Sequence, residues 1–185
     1  MLSFYKFCVK SATMRKNDKK ECHNMEHVVH QIPPVFNHQS EILILGSFPS
    51  VKSREAGFFY HHPRNRFWKV LSILMEDSLP ETVEDKKIFL LKHHIAVWDV
   101  IASCDIHGSS DSSIKNAVPN DFSHILKAAP VRQIYTNGGT AFQLYKKYCE
   151  PVTGSPAVRL PSTSPANASY SLERLLEAWK VILPS

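Results

Sequence analysis

Short apolar runs alternate with amphipathic stretches along most of the chain, and this alternation most constrains its fold. Four runs are typical of buried strands: residues 42–45, 95–101, 131–136 and 157–160. Strands separated by helical crossovers pair in parallel, because the chain returns along the sheet before it adds the next strand. The pattern predicts an α/β fold, a three-layer α/β/α sandwich around a short four-stranded parallel sheet in a single domain.

Helical spacing and capping residues mark the crossovers. Apolar residues repeat at helical spacing between 67 and 75, and Thr82 with Asp85 forms a capping-box pattern before the next helix. Asn120 is expected to cap a helix through residue 126, and Ser171 a C-terminal amphipathic helix. Each connection is thus long enough to cross the sheet.

The first 24 residues differ from the remainder in charge. They hold six basic and two acidic side chains, so residues 25–185 carry 16 basic against 15 acidic groups. Residues 1–24 weakly resemble a mitochondrial presequence or an upstream-start segment, and we expect them to be a flexible extension. The folded domain is predicted over residues 25–185. An intracellular protein is expected, cytoplasmic if bacterial and nuclear or mitochondrial if eukaryotic.

Several classes of protein are disfavoured by composition and spacing. No stretch approaches the ~20 consecutive apolar residues of a membrane-spanning helix, so no membrane partner is expected. The four cysteines are widely spaced and the adjacent histidines lack nearby acidic or thiol partners, so no metal or other cofactor is predicted. The chain contains no Gly-rich phosphate loop and no nucleophile elbow.

Ligands of open parallel sheets bind at the carboxyl ends of the strands, so the segments after those ends are the places where functional motifs are expected. Three match a known family in order: 45–50 (LGSFPS), 62–68 (HPRNRFW) and 160–167 (LPSTSPAN). They resemble the signature segments of the uracil-DNA glycosylase superfamily, and most of all those of its hypoxanthine-DNA (deoxyinosine) glycosylase branch. The resemblance implies the same α/β/α sandwich, a DNA substrate and no cofactor.

The resemblance assigns catalysis to Asn65. Most members of the superfamily carry a catalytic Asp or Asn two residues after the first-segment glycine, but Phe48 stands there and an aromatic ring neither polarises water nor accepts a proton. In the hypoxanthine branch the second-segment asparagine is held responsible. An amide is a poor base, so we expect Asn65 to orient water and to stabilise positive charge on the sugar. The simpler alternative is a helix cap.

Recognition of the base is assigned to four further residues. By resemblance, Asn137 reads the base edge and Tyr60 stacks on a flipped base, with Phe48 and Ser47 as further substrate-binding candidates. Hypoxanthine offers N1–H and C6=O, which one Asn side chain can meet together, but uracil offers an equivalent pair. An Asn-Gly turn explains Asn137 equally well.

Contacts with DNA are expected from the cluster of five basic residues between 52 and 69 and from the last matched segment, 160–167. Ser162 replaces the histidine that stabilises departing uracil in the best-known members, and Ala166 replaces an apolar wedge. The predicted DNA-binding residues are Lys52, Arg64, Ser162, Ser164, Ala166 and Asn167. Asp111, in a segment resembling the branch's G-S-x-D-x-x-I pattern, is a supporting candidate that either accepts a proton, fixes another side chain or caps a turn.

The sequence thus predicts a monofunctional DNA glycosylase, most consistent with hypoxanthine as the excised base, which acts as a monomer on DNA with a flipped damaged base. Two alternatives remain at this point: a uracil or mismatch-specific uracil-DNA glycosylase, and a catalytically inactive binder of damaged DNA on the same fold.

Overall fold

The computed structural model describes residues 25–183, so the predicted extension at 1–24 lies outside the described residues. A four-stranded parallel sheet forms the centre, as predicted. Its strands, numbered in chain order with those of a second sheet described below, are β2 (Ile42–Gly46), β3 (Ile95–Asp99), β6 (Gln133–Asn137) and β7 (Ala157–Leu160). They lie in the order β3-β2-β6-β7.

Seven helices with at least four residues accompany the sheet in the part of the chain that the structure describes. The capping box at Thr82 and Asp85 and the Ser171 cap are both confirmed. The helices are α1 (Val51–Ala56), α2 (Phe67–Leu74), α3 (Val83–Lys92), α4 (Ser123–Ala128), α5 (Gly139–Tyr148), α6 (Glu150–Thr153) and α7 (Leu172–Trp179).

Both faces of the parallel sheet are buried. Alternate residues of β2 point to opposite faces: Ile42 and Ile44 join a core with α2, α3 and α7, whereas Leu43 and Leu45 join one with α4 and α5. All five β2 residues are buried, which explains its continuous apolar run. The three-layer α/β/α arrangement is therefore confirmed.

A second, antiparallel sheet was not predicted. It contains β1 (Glu26–Val29), β4 (Ile101–Ile106) and β5 (Lys115–Pro119), in the order β1-β4-β5. The prediction of one strand over 95–101 was wrong at its C-terminal end. The parallel strand stops at Asp99, and a separate strand begins at Ile101. Residues of β4 pack against the α4 and α5 face, so this sheet extends one outer layer.

The predicted cap at Asn120 was also wrong. The helix begins at Ser123, and the Asp121 carboxylate accepts the Ser123 N–H (2.9 Å). The Asn120 amide instead donates to the Asp99 carbonyl (2.9 Å), because the turn after β5 brings it beside the end of β3. Asn120 therefore fixes the junction between the two sheets. None of the helices described is long and apolar enough to span a membrane.

Candidate active site

A cavity of about 1140 Å³ opens at the carboxyl ends of the parallel strands. It is the place expected for a ligand site in an open parallel sheet. Apart from Arg64, every residue predicted for catalysis, base recognition or DNA contact lines this cavity. Segments from the first, second and last motifs, and the loop before β5, thus form one continuous wall.

Asn65 lies on the cavity wall immediately before α2. Its Oδ1 accepts the Phe67 backbone N–H (3.0 Å), so the side chain also serves the helix start. The amide Nδ2 makes no hydrogen bond to any described residue. The helix contact and the catalytic role are compatible, because the cap fixes the amide orientation and leaves its NH₂ group for a ligand.

Asp111 reaches the cavity from the short 3₁₀ turn Asp111–Ser113. Its Oδ2 accepts a hydrogen bond from the Ser47 hydroxyl (2.7 Å), although 64 residues separate the two in sequence. It does not cap that turn, because the N-cap residue is Ser110, which makes no side-chain cap hydrogen bond. Burial, and secondly the nearby Asp99 carboxylate, raise the pKa of Asp111, while the Ser47 hydrogen bond opposes this rise.

Asp99 is a cavity residue that the sequence interpretation missed. It ends β3, pairs in register with Gly46 and is 3 % exposed. The His30 Nε2 donates to its Oδ2 (2.9 Å), and the His30 Nδ1 accepts the Ile32 N–H (3.1 Å). This pairing assigns the imidazole proton to Nε2 and makes His30 a neutral donor that holds the Asp99 carboxylate in place.

The close approach of Asp99 depends on the glycine at position 46. A Cβ on Gly46 would lie 2.1 Å from the Asp99 Oδ1 and 3.2 Å from the Tyr60 hydroxyl. We expect Gly46→Ala to lower the free energy of unfolding by about 2 kcal/mol, because Asp99 is anchored by His30 and has little room to move. Urea denaturation of the variant and of the wild-type protein would measure the difference.

Gly139→Ala is the matched control for that prediction. Its Cβ would meet only the end of the Arg159 side chain (3.1 Å), which is exposed and flexible, and Gly139 begins a helix in which alanine is favoured. Its stability should change by less than ~0.5 kcal/mol. Equal stabilities of the two variants would show that Asp99 does not need the space at Gly46.

Tyr60 presents its aromatic side chain to the cavity from a strained backbone position. Its φ is +51°, a backbone conformation that non-glycine residues adopt rarely and often at functional sites. Its ring stacks on Phe67 with 3.8 Å between centroids, and its hydroxyl has no partner among the described residues. Burial and the Asp99 charge raise the pKa of Tyr60, so the phenol stays protonated, and stacking on a base remains a prediction.

Phe48 is largely a core residue that also touches the cavity. It is 6 % exposed, and its ring meets the His30 imidazole edge-on with centroids 5.9 Å apart. Phe48 therefore packs against the histidine that holds Asp99. Through His30 it supports the Asp99 carboxyl group at the end of the neighbouring strand.

The Asn137 side chain forms hydrogen bonds with the last motif in this structure. Its Nδ2 donates to the Thr163 hydroxyl (2.9 Å), and its Oδ1 accepts the Thr163 backbone N–H (2.9 Å). The side chain thus ties the end of β6 to the loop after β7. One N–H and one lone pair remain for a base, so base reading by Asn137 stays a prediction.

Arg66 is the second residue that the sequence interpretation missed. Its guanidinium donates to the carbonyls of four residues in the loop after β7, and its backbone N–H donates to one of them again. The acceptors are Thr163 (3.3 Å), Ser164 (2.7 Å), Asn167 (3.0 Å) and Tyr170. Arg66 therefore joins the second and third motifs and shapes the loop, rather than contacting phosphate.

Side chains of the loop after β7 are largely used to build the loop itself. The hydroxyls of Ser162 and Ser164 accept backbone N–H groups two residues on (3.2 and 3.3 Å), and the Asn167 amide donates to the Ser162 carbonyl (2.8 Å). Ala166 is exposed at the rim. The loop is pre-organised, so its contacts with DNA remain a prediction about its outer surface.

The basic cluster between residues 52 and 69 divides into two groups. Arg54 and Arg66 are turned toward backbone carbonyls. Lys52, Arg64 and Lys69 are exposed, and Lys52 pairs with Glu55 (2.7 Å). Only the exposed group is free to meet a phosphate backbone, and Arg64 would do so outside the cavity.

Comparison with known proteins assigns the family. The sequence model of the Uracil DNA glycosylase superfamily matches residues 33–183. The chain belongs to this superfamily. Like the motifs at 45–50, 62–68 and 160–167, the superfamily match covers the parallel sheet and every wall of the cavity.

Similar proteins come from two species of Methanosarcina. The chain is 36 % identical over 155 residues to a hypoxanthine DNA glycosylase of Methanosarcina acetivorans, covering 81 % of this chain and 94 % of that protein. It is 36 % identical over 108 residues to a hypoxanthine DNA glycosylase of Methanosarcina barkeri, covering 57 % and 68 %. A solution NMR structure of a candidate uracil DNA glycosylase from M. acetivorans superposes with a TM-score of 0.71 at 32 % identity, covering 84 % of this chain and 96 % of that chain.

Proposed function

We propose that the protein hydrolyses the N-glycosidic bond of hypoxanthine in DNA and leaves an abasic site. The observation that carries this proposal is the superfamily cavity with Asn65 on its wall, in a chain that covers 94 % of a hypoxanthine DNA glycosylase at 36 % identity. The protein acts as a monomer. Its substrate is a nucleotide flipped out of the duplex, because the bond to be cleaved is not reachable inside the stack.

The reaction requires stabilisation of a positively charged sugar. As the bond from the base to C1′ breaks, charge develops on the deoxyribose, and fixed dipoles and carboxylates aimed at that charge lower the barrier. Asp99 supplies a carboxylate anchored by His30, whereas Asn65 leaves its NH₂ group and the second lone pair of Oδ1 to hold the attacking water. Asn65 orients the water that attacks C1′, and it needs no proton transfer of its own to do so.

The last motif favours a purine over a pyrimidine. Uracil leaves as an anion, and Ser162 offers it no cationic donor. The Ser162 hydroxyl is also engaged with the Ser164 N–H. A purine carries a basic ring nitrogen and depends less on such a donor, so the departure of hypoxanthine is easier to support in this cavity.

The likeness to a candidate uracil DNA glycosylase keeps uracil as a second candidate base. The test is incubation of the purified protein with labelled duplexes that carry one deoxyinosine, one deoxyuridine or no lesion, followed by alkali to cut abasic sites. Cleavage chiefly at deoxyinosine supports the proposal, and cleavage chiefly at deoxyuridine replaces it. Binding to deoxyinosine duplexes without any cleavage would identify a catalytically inactive binder.

A further inference from the structure

Two carboxyl groups with different hydrogen-bond partners line the cavity. Asp99 ends β3 and accepts from the His30 ring, whereas Asp111 begins the 3₁₀ turn between β4 and β5 and accepts from the Ser47 hydroxyl. Two carboxyl groups in one site can differ in how readily each takes up a proton, according to their surroundings. Because each of the two accepts a hydrogen bond, burial and the neighbouring charge set the difference between them.

Asp99 is the member held by a histidine. The His30 Nδ1 accepts the Ile32 N–H, so its Nε2 donates to the Asp99 carboxyl group. The side chains of His30 and Asp99 are 1 % and 5 % exposed, so solvent screens poorly the field that Asp99 exerts on its neighbours. The Asp99 charge is one cause of the raised pKa of Asp111.

Asp111 is the member that holds a proton more readily. Its Oδ1 makes no hydrogen bond to any described residue and remains available at the cavity wall. The titratable groups that interact with it are Asp99, the protonated Tyr60 and the buried thiol of Cys104. The Arg54 guanidinium, near Cys104, is bonded to the Pro49 and Gly108 carbonyls. Bound DNA adds further negative charge and removes water, which strengthens both causes of the upward pKa shift.

We propose that Asp111 is the general acid that protonates the departing purine at N7; the proposal rests on the proposed function. As the C1′–N9 bond breaks, its electron pair moves onto the purine, and the Asp111 proton passes to N7. Hypoxanthine leaves neutral. Water then adds to C1′ and loses a proton, which restores the protonated Asp111, so one water is consumed for each base released.

This role explains why the cavity suits a purine. Hypoxanthine has a ring nitrogen with a free lone pair for an acid to protonate, whereas the ring nitrogens of uracil carry the sugar and a proton. Asp111 therefore lowers the barrier for purine release and leaves the barrier for uracil nearly unchanged. Selectivity for hypoxanthine over uracil then arises from protonation of the departing base as well as from hydrogen bonds to the edge of the base.

The test compares Asp111→Asn with wild-type protein on two duplexes, one with deoxyinosine and one with N7-methyldeoxyinosine. The methylated base already carries a positive charge and needs no acid. We expect the variant to lose ~10²–10⁴-fold in single-turnover rate on deoxyinosine and less than ~5-fold on the methylated base, after subtraction of spontaneous release. Activity on the methylated base also shows that the variant is folded.

Asp105→Asn is the matched control, because Asp105 pairs with His27 and Asn116 on the second sheet and does not line the cavity. It should release both bases at the wild-type rate. Equal losses of Asp111→Asn on the two duplexes would overturn the acid role alone. Wild-type protein inactive on both would overturn the proposed function together with this role.

The pH dependence gives an independent readout. The acid form is present below the pKa of Asp111, so the wild-type rate on deoxyinosine should fall as the pH rises through it, and Asp111→Asn should lack this fall. Ser47→Ala removes a hydrogen bond that lowers the pKa of Asp111, so the fall should move to higher pH. An unchanged fall in Asp111→Asn would contradict the proposal.

Discussion

Asn65→Ala is expected to lower the single-turnover rate on a deoxyinosine duplex by ~10²–10³-fold, the usual effect of removing one oriented dipole from a transition state. The structure places the Asn65 amide on the cavity wall and fixes its orientation through the Phe67 N–H. Binding of the duplex should change little, since the DNA backbone is held by other groups. Rates at saturating protein and duplex affinities by fluorescence anisotropy would measure the two effects separately.

Loss of the helix contact is a separate effect of this variant. The alanine removes the acceptor for the Phe67 N–H, which costs about 1 kcal/mol. Asn65→Ser keeps a short acceptor at that position but cannot reach as far into the cavity. It should restore stability without restoring the rate. A full rate in Asn65→Ala, or rescue of the rate by serine, would show that Asn65 acts only as a cap.

Arg66→Ala is expected to have the largest effect on stability. The guanidinium satisfies four carbonyls of the loop after β7, which removal would leave without their charged donor. We expect a loss of about 3–5 kcal/mol in the free energy of unfolding, with a fall in Tm of roughly 10 °C. The rate should fall by about 100-fold because the loop that forms one cavity wall loses its position.

Arg66→Lys and Arg64→Ala show whether the hydrogen bonds of Arg66 or its positive charge alone stabilise the loop. One ammonium group cannot meet four carbonyls at once, so the lysine variant should remain close to alanine in Tm. Arg64 is exposed two positions earlier, and Arg64→Ala should change stability by less than ~0.5 kcal/mol. A wild-type Tm in Arg66→Lys would show that charge alone, and not the hydrogen bonds, secures the loop.

The centre of the parallel sheet was predictable because β2 and β3 are buried on both faces and carry no polar residue before Asp99. The second sheet lacks that signal. In β5 three of the five residues are exposed and its two polar residues are adjacent, and β1 has only four residues, so neither strand shows a clear period of two. The apolar residues on both sides of Asp99 concealed the end of β3, since a buried carboxylate held by a distant histidine has no local sequence pattern.

The same reason explains which site residues were found. Asn65, Phe48 and Ser162 lie within ordered motifs, so resemblance located them and the structure places them on one cavity. The roles of Asp99 and Arg66 depend on partners 69 and roughly 100 residues away. Contacts between such distant residues, including Ser47 with Asp111, follow from the topology of the sheets and not from any spacing in the sequence.

Release of the free base is the most direct test of the central claim. Wild-type protein would be incubated with a duplex containing one deoxyinosine, and the low-molecular-weight fraction analysed by chromatography with mass detection, beside a deoxyuridine duplex. The account predicts one hypoxanthine for each abasic site formed and little or no uracil. Uracil release without hypoxanthine, or abasic sites absent from the deoxyinosine duplex at saturating protein, would contradict it.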